Sequence, residues 1–270
     1  MKSKLLQLQV QAKDFPGHRV IDDMAFALDH HEIVSLVGPS GCGKSTLLRI
    51  ISGLDKKYQG QVLINDKTPH VHSPDVGFVF QEPRLLPWLT VAQNVGFDQG
   101  EKGATSELTK ELLAEVGLSD FANAYPKELS GGMAQRAAIA RGLFTHPDLL
   151  LLDEPFSAVD ALTRMRLQDL LLSIATKHQT TILLVTHDVQ EAAFLSDRVL
   201  ILASNPGRIV GEVDITLPRP RDRNNPLIAQ KQTEILNLLH HSQHSDLKVA
   251  PAVSDSARSE YGFVNYQLAI

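Results

Sequence analysis

The chain has 270 residues, 43% of them hydrophobic and 21% charged, which is the composition of a globular protein of one or two domains. Its 26 basic and 31 acidic residues leave a net charge of −5, so electrostatics give no reason to expect a nucleic-acid partner. Cys42, the single cysteine, cannot form an internal disulfide. No apolar run approaches the roughly 18 residues of a membrane span, and no signal-peptide core is present, so the sequence predicts a cytoplasmic protein.

Strands and a glycine-rich turn open the chain. Residues 5–36 are predicted to form short antiparallel strands, with a turn at Asp14–Gly17. The apolar run Ile33–Val37 predicts a buried strand, and the apolar spacing of Lys44–Ser52 predicts a helix that Gly53 closes. Strand, glycine-rich turn and helix in this order form the βα unit of a nucleotide-binding fold.

Strands alternate with helical segments further along the chain. A strand is predicted at Val76–Phe80, and residues 88–146 are mostly helical in pattern, which we interpret as a separate lobe. Two buried strands, Leu149–Leu152 and Thr181–Val185, flank a predicted helix at 161–177. This alternation predicts an α/β fold with a largely parallel sheet.

The composition changes after residue 217. Leu217–Arg223 is a basic connector with two prolines, Pro226–His240 has the pattern of one amphipathic helix, and residues 241–260 are polar and predicted to be flexible. We therefore divide the chain into a domain of residues 1–217 and a C-terminal extension of residues 218–270. A tail of about 50 residues is marginal for a core of its own, so a helical appendage is expected rather than an independent regulatory module.

The turn after the first buried strand fits a phosphate-binding loop, with two glycines four residues apart followed by Lys and Ser. The glycines turn backbone N–H groups toward phosphate oxygens, Lys44 would reach the β- and γ-phosphates, and Ser45 would bind Mg²⁺. A chance match is the alternative, and the strand before and the helix after argue against it. The predicted nucleotide contacts are Gly38, Pro39, Ser40, Gly41, Cys42, Gly43, Lys44, Ser45 and Thr46.

Two acidic residues end the next strongly apolar strand. A buried strand that stops at Asp153 would place this carboxylate beside the phosphate loop, where it can hold Mg²⁺ through water. Glu154, one residue further, can orient or deprotonate the attacking water. The alternative is a strand that simply ends in two acids on a solvated rim.

Between these motifs lies Leu129–Arg136, which reads LSGGMAQR. Alone it would be an ordinary capped helix, with Ser130 as the N-cap. Its position after the phosphate loop and about 20 residues before the acidic pair resembles the signature motif of ATP-binding cassette (ABC) ATPases. The resemblance covers residues 5–217.

Several single residues match the family's motifs in order. Gln81 is similar to the glutamine loop, which contacts Mg²⁺ and faces the membrane subunit, and Ser157–Asp160 resembles the D-loop, whose Asp160 communicates across a dimer. His187 matches the switch histidine that senses the γ-phosphate. Phe15 stands where the family places an aromatic under the adenine, although it could simply pack against the sheet.

The resemblance implies a P-loop NTPase fold with a mostly parallel core sheet, an N-terminal antiparallel β subdomain and an inserted helical subdomain at about 88–146. It implies ATP and Mg²⁺ as ligands and a homodimer. In that dimer, four residues of one subunit complete the site of the other: Ser130, Gly131, Gly132 and Gln135.

The segment Gln81–Val91, which reads QEPRLLPWLTV, resembles importers of nitrate, aliphatic sulfonates and taurine, as do Met133 and Leu217–Arg221. Such importers pair the ATPase dimer with a separate permease, on the cytoplasmic face of the inner membrane, and with an extracytoplasmic binding protein. Leu85, Leu86 and Trp88 would then line a groove for a permease helix, or else belong to the core of the helical lobe.

Two other classes share part of these motifs. A P-loop kinase or GTPase would need only the phosphate loop and has no role for LSGGMAQR. A soluble ABC ATPase of the repair or translation type would need basic surface, and it commonly carries a second cassette or a long coiled coil. One departure from the family is Gly142, which costs about 1 kcal/mol if it lies within a helix.

Overall fold

The computed structural model describes residues 4–71 and 73–246, with side chains up to residue 242. The strands are β1 Lys4–Phe15, β2 His18–Asp29, β3 Ile33–Val37, β4 Gln59–Ile64, β5 Val76–Val79, β6 Leu149–Asp153, β7 Thr181–Thr186, β8 Arg198–Ala203 and β9 Arg208–Asp214. The α-helices are α1 Lys44–Ile51, α2 Val91–Val95, α3 Gly100–Ala104, α4 Glu107–Glu115, α5 Gly131–Leu143, α6 Ala161–His178, α7 Val189–Leu195 and α8 Pro226–Asp246.

The strands form two sheets. An antiparallel sheet has the order β2-β1-β4, and a six-stranded sheet has the order β5-β6-β7-β3-β8-β9. In the second sheet every neighbouring pair is parallel except β8 and β9. The predicted α/β fold with a mostly parallel core sheet and an antiparallel N-terminal sheet is confirmed.

Apolar side chains cover both faces of the parallel sheet. Along β6, Leu149 and Leu151 face one hydrophobic core, which includes α1 and the antiparallel sheet, while Leu150 and Leu152 face the other, which includes α5 and α6. A strand buried on both faces carries a continuous apolar run instead of an alternating one, which explains the four consecutive leucines.

The N-terminal strands are longer than predicted. β1 and β2 each have 12 residues and pair along most of that length, where the sequence predicted short strands. The hairpin turn at Pro16 and Gly17 lies where it was predicted, with Gly17 at φ 76°. β1 is the central strand of its sheet and pairs with both β2 and β4.

The segment between β5 and β6 is largely helical, as its pattern indicated. It carries α2, α3, α4 and α5, joined by short 3-10 turns. Gly142 lies near the end of α5, and its packing explains the missing side chain. A Cβ on Gly142 would lie 3.2 Å from both Leu150 and Val79, and a Cβ on Gly77 would lie 2.3 Å from the carbonyl oxygen of Gly142, so α5 and β5 pack closely at both glycines. The domain boundaries at 88, 146 and 217 stay a prediction.

The predicted C-terminal helix continues beyond its expected end. The sequence predicted a helix to His240, whereas α8 ends at Asp246, so residues 241–246 are helical where the sequence predicted no regular element. Ser242 is buried, and its hydroxyl donates to the carbonyl of Leu239 at 2.7 Å, so packing extends the helix. The rest of the segment predicted to be flexible, 247–260, lies outside the described residues.

The connector before α8 is fastened to α7 by two arginines. Arg219 donates to Asp197 and to the carbonyl of Leu195, each at 2.6 Å. Arg221 is buried and donates to the carbonyls of Phe194 at 2.9 Å and Ser196 at 2.6 Å. Burial, together with Arg219, lowers the pKa of Arg221 to about 10, so the guanidinium stays charged at neutral pH. These bonds satisfy carbonyls that the end of α7 leaves without partners.

Replacing Arg221 with Met should lower the free energy of unfolding by about 3 kcal/mol, because several buried carbonyls would lose their donor. Urea unfolding followed by circular dichroism measures the change. Arg19→Met is the matched control, since Arg19 pairs with Asp14 and Asp22 on the surface, and we expect its midpoint to stay where it is. Equal midpoints for the two variants would contradict a stabilising role for the Arg221 hydrogen bonds.

Candidate nucleotide-binding site

The parallel sheet brings the predicted site residues to one edge. β5, β6, β7 and β3 are neighbours, and Val37 of β3 pairs with Thr186 of β7, while Asp153 pairs with Val185. Their carboxyl ends therefore lie side by side. The phosphate loop follows β3, the acidic pair ends β6, and His187 follows β7, which is the edge where open α/β sheets bind ligands.

The phosphate loop wraps the ammonium group of Lys44. Lys44 is buried, and its Nζ donates to the carbonyls of Gly38 at 2.8 Å and Pro39 at 2.9 Å. Gly43 precedes α1 at φ 91°, and a Cβ there would lie 3.0 Å from Ile21, so glycine is required. No acidic residue occupies the first turn of α1. The loop thus offers a cation and a helix N-terminus to an anion.

Ser45 and Asp153 form the second part of the site. The Ser45 hydroxyl donates to Asp153 Oδ1 at 2.9 Å. Burial raises the pKa of the Asp153 carboxyl, the Ser45 hydrogen bond opposes this, and the charge of Glu154 adds to it. A divalent cation would relieve this crowding of buried negative charge.

These residues fit Mg²⁺ as a ligand shared with phosphate. Ser45, Gln81 and Asp153 line one cleft of about 510 Å³ and supply the oxygen donors that Mg²⁺ prefers. The Gln81 amide donates to Ser157 Oγ at 3.3 Å, which ties it to the segment after Glu154. Among the described residues no group of three His, Cys, Asp or Glu could hold a metal alone. The ion would therefore need oxygens from the nucleotide or from water.

Glu154 and His187 form a pair beside this cleft. His187 Nδ1 lies 3.0 Å from Glu154 Oε2, a hydrogen-bond distance at which Nδ1 would donate to a carboxylate. The imidazole is 63% exposed, so its other nitrogen is free to meet a ligand. Glu154 has φ 47°, a left-handed conformation that is unusual outside glycine, and its N–H donates to Val185.

The predicted signature and D-loop residues cap two helices. Ser130 accepts a hydrogen bond from the N–H of Met133 and begins α5, while Asp160 accepts two from the first turn of α6. The two helices approach closely, since a Cβ on Gly132 would lie 2.4 Å from Thr163. Ser130 and Gly131 are exposed at the start of α5, whereas Gln135 is buried. Their roles across a dimer stay predictions.

Phe15 ends β1 and is 46% exposed. The buried ammonium of Lys13 lies 4.7 Å from its ring centroid and is held by Asp55 at 2.6 Å. A cation against one face leaves the other face available to an aromatic ligand. The prediction that Phe15 lies under the adenine is compatible with this arrangement and is not tested by it.

Burial differs among the three apolar residues Leu85, Leu86 and Trp88. Leu85 packs against the hydrophobic core and Leu86 is half-buried, whereas Trp88 is 70% exposed. The turn that carries Trp88 is fixed by Asn94, whose side chain accepts from the N–H of Leu86 at 2.7 Å and donates to the carbonyl of Leu89 at 3.1 Å. The core interpretation therefore holds for Leu85 and fails for Trp88.

A polar network that was not predicted from the sequence lies behind His187. Thr186 donates to Glu191 at 2.7 Å, the N–H of Asp188 donates to Thr186 at 3.0 Å, and Asp188 caps α7. Arg164 reaches Asp188 from α6 at 3.4 Å. An Asp followed three residues later by Glu is an N-terminal helix signal, and it could have revealed both α7 and this network.

The sequence matches one family profile and is similar to individual proteins of known name. The ABC transporter family profile matches residues 21–157. The aliphatic sulfonates import ATP-binding protein SsuB 2 of Pseudomonas syringae pv. tomato is 56% identical over 238 residues, which are 88% of this chain and 99% of that protein. Its namesake in Burkholderia cenocepacia is 52% identical over 233 residues, 86% of each chain.

Solved structures have the same fold. A dimeric ATP-binding cassette, MJ0796, bound to ADP and phosphate in a post-hydrolysis state, matches with a TM-score of 0.67 at 31% identity, over 79% of this chain and 100% of that one. The cbiO1 protein of Clostridium perfringens, part of the ABC transporter complex cbiONQ, has a TM-score of 0.70 at 23% identity, over 90% of this chain and 99% of its own.

The fold and the phosphate loop therefore define an ABC-type ATPase, which confirms the enzyme class predicted from the motifs. The chain belongs to the ABC transporter family, as an import ATPase of the nitrate, sulfonate and taurine branch. Within residues 4–71 and 73–246 the structure has no helix with the length and apolar character to span a membrane.

The network behind His187 makes stability depend on pH. Burial raises the pKa of the Glu191 carboxyl, which Thr186 and Arg164 oppose and Asp188 reinforces. The native state therefore binds this proton more tightly than the unfolded chain, and the free energy of unfolding falls as pH rises from the ordinary glutamate pKa through the raised one.

Glu191→Gln should remove this dependence, because the neutral amide still accepts from Thr186. We expect the melting temperature of the variant to equal or exceed that of the wild type at pH 7 to 8, with a gap that closes toward pH 4. Calorimetry across this range measures it. Glu107→Gln, at an exposed site, should follow the wild-type curve. A variant that is less stable at pH 8 but not at pH 4 would reverse the sign and refute the argument.

Proposed function

We propose that the chain is the ATP-hydrolysing subunit of an aliphatic sulfonate importer. The observation that carries the proposal is the convergence of Lys44, Ser45, Asp153, Glu154 and His187 at one sheet edge, in a chain whose relatives are named for sulfonate import. Nitrate and taurine are the other solutes considered, and the names of the relatives favour sulfonates over both.

The residues suggest how hydrolysis proceeds. The phosphate loop and Lys44 hold the β- and γ-phosphates, and the Lys44 ammonium stabilises negative charge that develops on them. Mg²⁺ held by Ser45, Gln81 and, through water, Asp153 supplies further charge stabilisation when bound. Glu154 orients the attacking water and accepts its proton, and His187, fixed by its hydrogen bond to Glu154, presents its exposed nitrogen toward the γ-phosphate.

A second copy of the chain completes each site in this proposal. The start of α5, where Ser130 and Gly131 are exposed and Gly132 is buried, has no acid in its first turn and is suited to the γ-phosphate of a nucleotide on the partner subunit. Gln135 supports this helix from its buried side, and Asp160 lies at the subunit contact. The dimeric cassette with ADP and phosphate supports this arrangement.

A membrane permease is the proposed partner of the Trp88 turn. Trp88 and Phe97 are exposed aromatic residues of the helical segment, and Asn94 and Arg141 hold the turn that carries Trp88. A rigid exposed aromatic is a common anchor in protein interfaces. The protein would then work at the cytoplasmic face of the inner membrane. It would meet the extracytoplasmic binding protein only through the permease, and no nucleic acid is involved.

Glu154→Gln should bind ATP but lower kcat for hydrolysis by at least about 100-fold, because the amide cannot accept the proton of the attacking water. We expect the variant to accumulate as an ATP-bound dimer in size-exclusion chromatography with light scattering. Glu234→Gln on the surface of α8 is the control and should hydrolyse at the wild-type rate. Normal hydrolysis by Glu154→Gln would refute the role given to Glu154.

The partner and the solute are tested with tagged Glu154→Gln, captured with Mg-ATP from gently solubilised membranes. We expect one polytopic permease, which Trp88→Ala in the same background should lose, since truncation removes the exposed anchor. Capture of ribosomes or soluble proteins alone would instead favour the repair or translation class.

Uptake by cells that depend on this chain identifies the solute. Labelled alkanesulfonate should enter wild-type cells at least about 10-fold faster than cells carrying Glu154→Gln, in proportion to the loss of hydrolysis. Equal sulfonate uptake in both, with a difference for nitrate or taurine, would move the proposal to that solute.

A further inference from the structure

Arg164 joins the two loops that flank the candidate catalytic pair. It lies in the first turn of α6, and its Nη2 donates to the carbonyl of Val159 at 3.4 Å, while its Nη1 donates to Asp188 Oδ2 at 3.4 Å. Val159 belongs to the D-loop segment Ser157–Asp160, and Asp188 follows His187 directly. One side chain therefore spans the segment after Glu154 and the segment that carries His187.

Asp188, which Arg164 contacts, fixes the backbone on both sides of His187 together with Thr186. Asp188 uses its other oxygen, Oδ1, to accept from the N–H groups of Gln190 at 2.8 Å and Glu191 at 3.2 Å. Its own N–H donates to Thr186 at 3.0 Å. Thus Thr186 and Asp188 hold the chain on both sides of His187, and Arg164 holds Asp188.

The guanidinium is not fully satisfied. Its Nε is buried and has no hydrogen-bond partner among the described residues, although Glu191 Oε1 lies 3.8 Å away. A shift of about 0.9 Å between α6 and α7 would bring this pair to a normal hydrogen-bond length of about 2.9 Å. All three contacts of Arg164, with Val159, Asp188 and Glu191, are longer than a normal hydrogen bond. The guanidinium can therefore form shorter bonds when the two loops move together.

The surrounding charges favour Arg164 over Arg223 as the residue that joins the two loops. Arg164, Asp188, Glu191 and Arg223 line one cavity of about 240 Å³. The Arg223 guanidinium instead binds Gln168 and Asp169 on α6, each at 2.6 Å, and touches neither loop. Arg164 is the cation that faces Asp188 and the buried Glu191.

We infer that Arg164 is a positioning residue for ATP hydrolysis, which couples the D-loop segment Ser157–Asp160 to the His187 segment and thereby keeps the imidazole beside Glu154. It acts through Asp188 and does not touch the reacting atoms. The inference rests on the proposed roles of Glu154 and His187, and it adds a path by which movement of the D-loop segment changes the geometry of the catalytic pair.

A double-mutant cycle on the purified full-length chain tests the inference. Arg164→Met and Asp188→Asn should each lower kcat about 10-fold, with the KM for ATP changed less than about 2-fold, because the phosphate contacts are intact. Asn still caps α7, so Asp188→Asn removes the charge without the cap. The double variant should be no slower than either single one, since both changes break the same contact.

Arg223→Met is the matched control and should keep the wild-type kcat. Melting temperatures of all variants separate loss of folded protein from loss of rate. Losses that multiply to about 100-fold, an unchanged kcat in Arg164→Met, or an equal loss in Arg223→Met would each overturn the inference. Full hydrolysis by His187→Ala would overturn the role of His187 and this inference together. An inactive His187→Ala with additive Arg164 and Asp188 effects would overturn the coupling alone.

Discussion

The candidate site depends on the register of four parallel strands. β5, β6, β7 and β3 lie side by side, and Val79 pairs with Leu152, Asp153 with Val185 and Val37 with Thr186. This pairing brings four separate chain segments to one edge. A slip of one residue along β6 would turn its side chains to the opposite face, and the contact of Asp153 with Ser45 would be lost. The two apolar cores that cover the sheet oppose such a slip.

At that edge, backbone geometry separates two adjacent carboxylates into two tasks. Asp153 ends the strand and binds Ser45, whereas Glu154 leaves the strand in a left-handed conformation and meets His187. Neighbouring like charges in a buried site disfavour ionisation, so different partners are needed to keep both useful. The strained conformation at Glu154 costs about 1–3 kcal/mol and is held by the N–H bond to Val185 and the surrounding sheet.

Much of the fold and of the candidate site could be predicted, because phosphate-binding loops and buried strands have recognisable patterns in the local sequence. The phosphate loop, the run Leu149–Leu152 and the N-cap at Ser130 carry their own signals, and the structure places each on the expected element. β4 and β9 were missed because each lies at the edge of its sheet, and neither has a long apolar run. The partners of Arg164 and Arg221 were missed for another reason, since backbone carbonyls and distant acids leave no mark in local sequence.

Those two arginines connect α6 and the C-terminal connector to the helix that begins beside the candidate site. α7 has only seven residues, too few to be stable alone, and it begins at Asp188 beside His187. Arg164 contacts its first turn, and Arg221 donates to the carbonyls at its end. Because a short helix moves as a unit, loss of the Arg221 hydrogen bonds at the end of α7 would also shift Asp188 at its start. The segment after residue 217 therefore contributes to the candidate site through the helix it anchors, although none of its described residues, 218–246, lies at the phosphate loop.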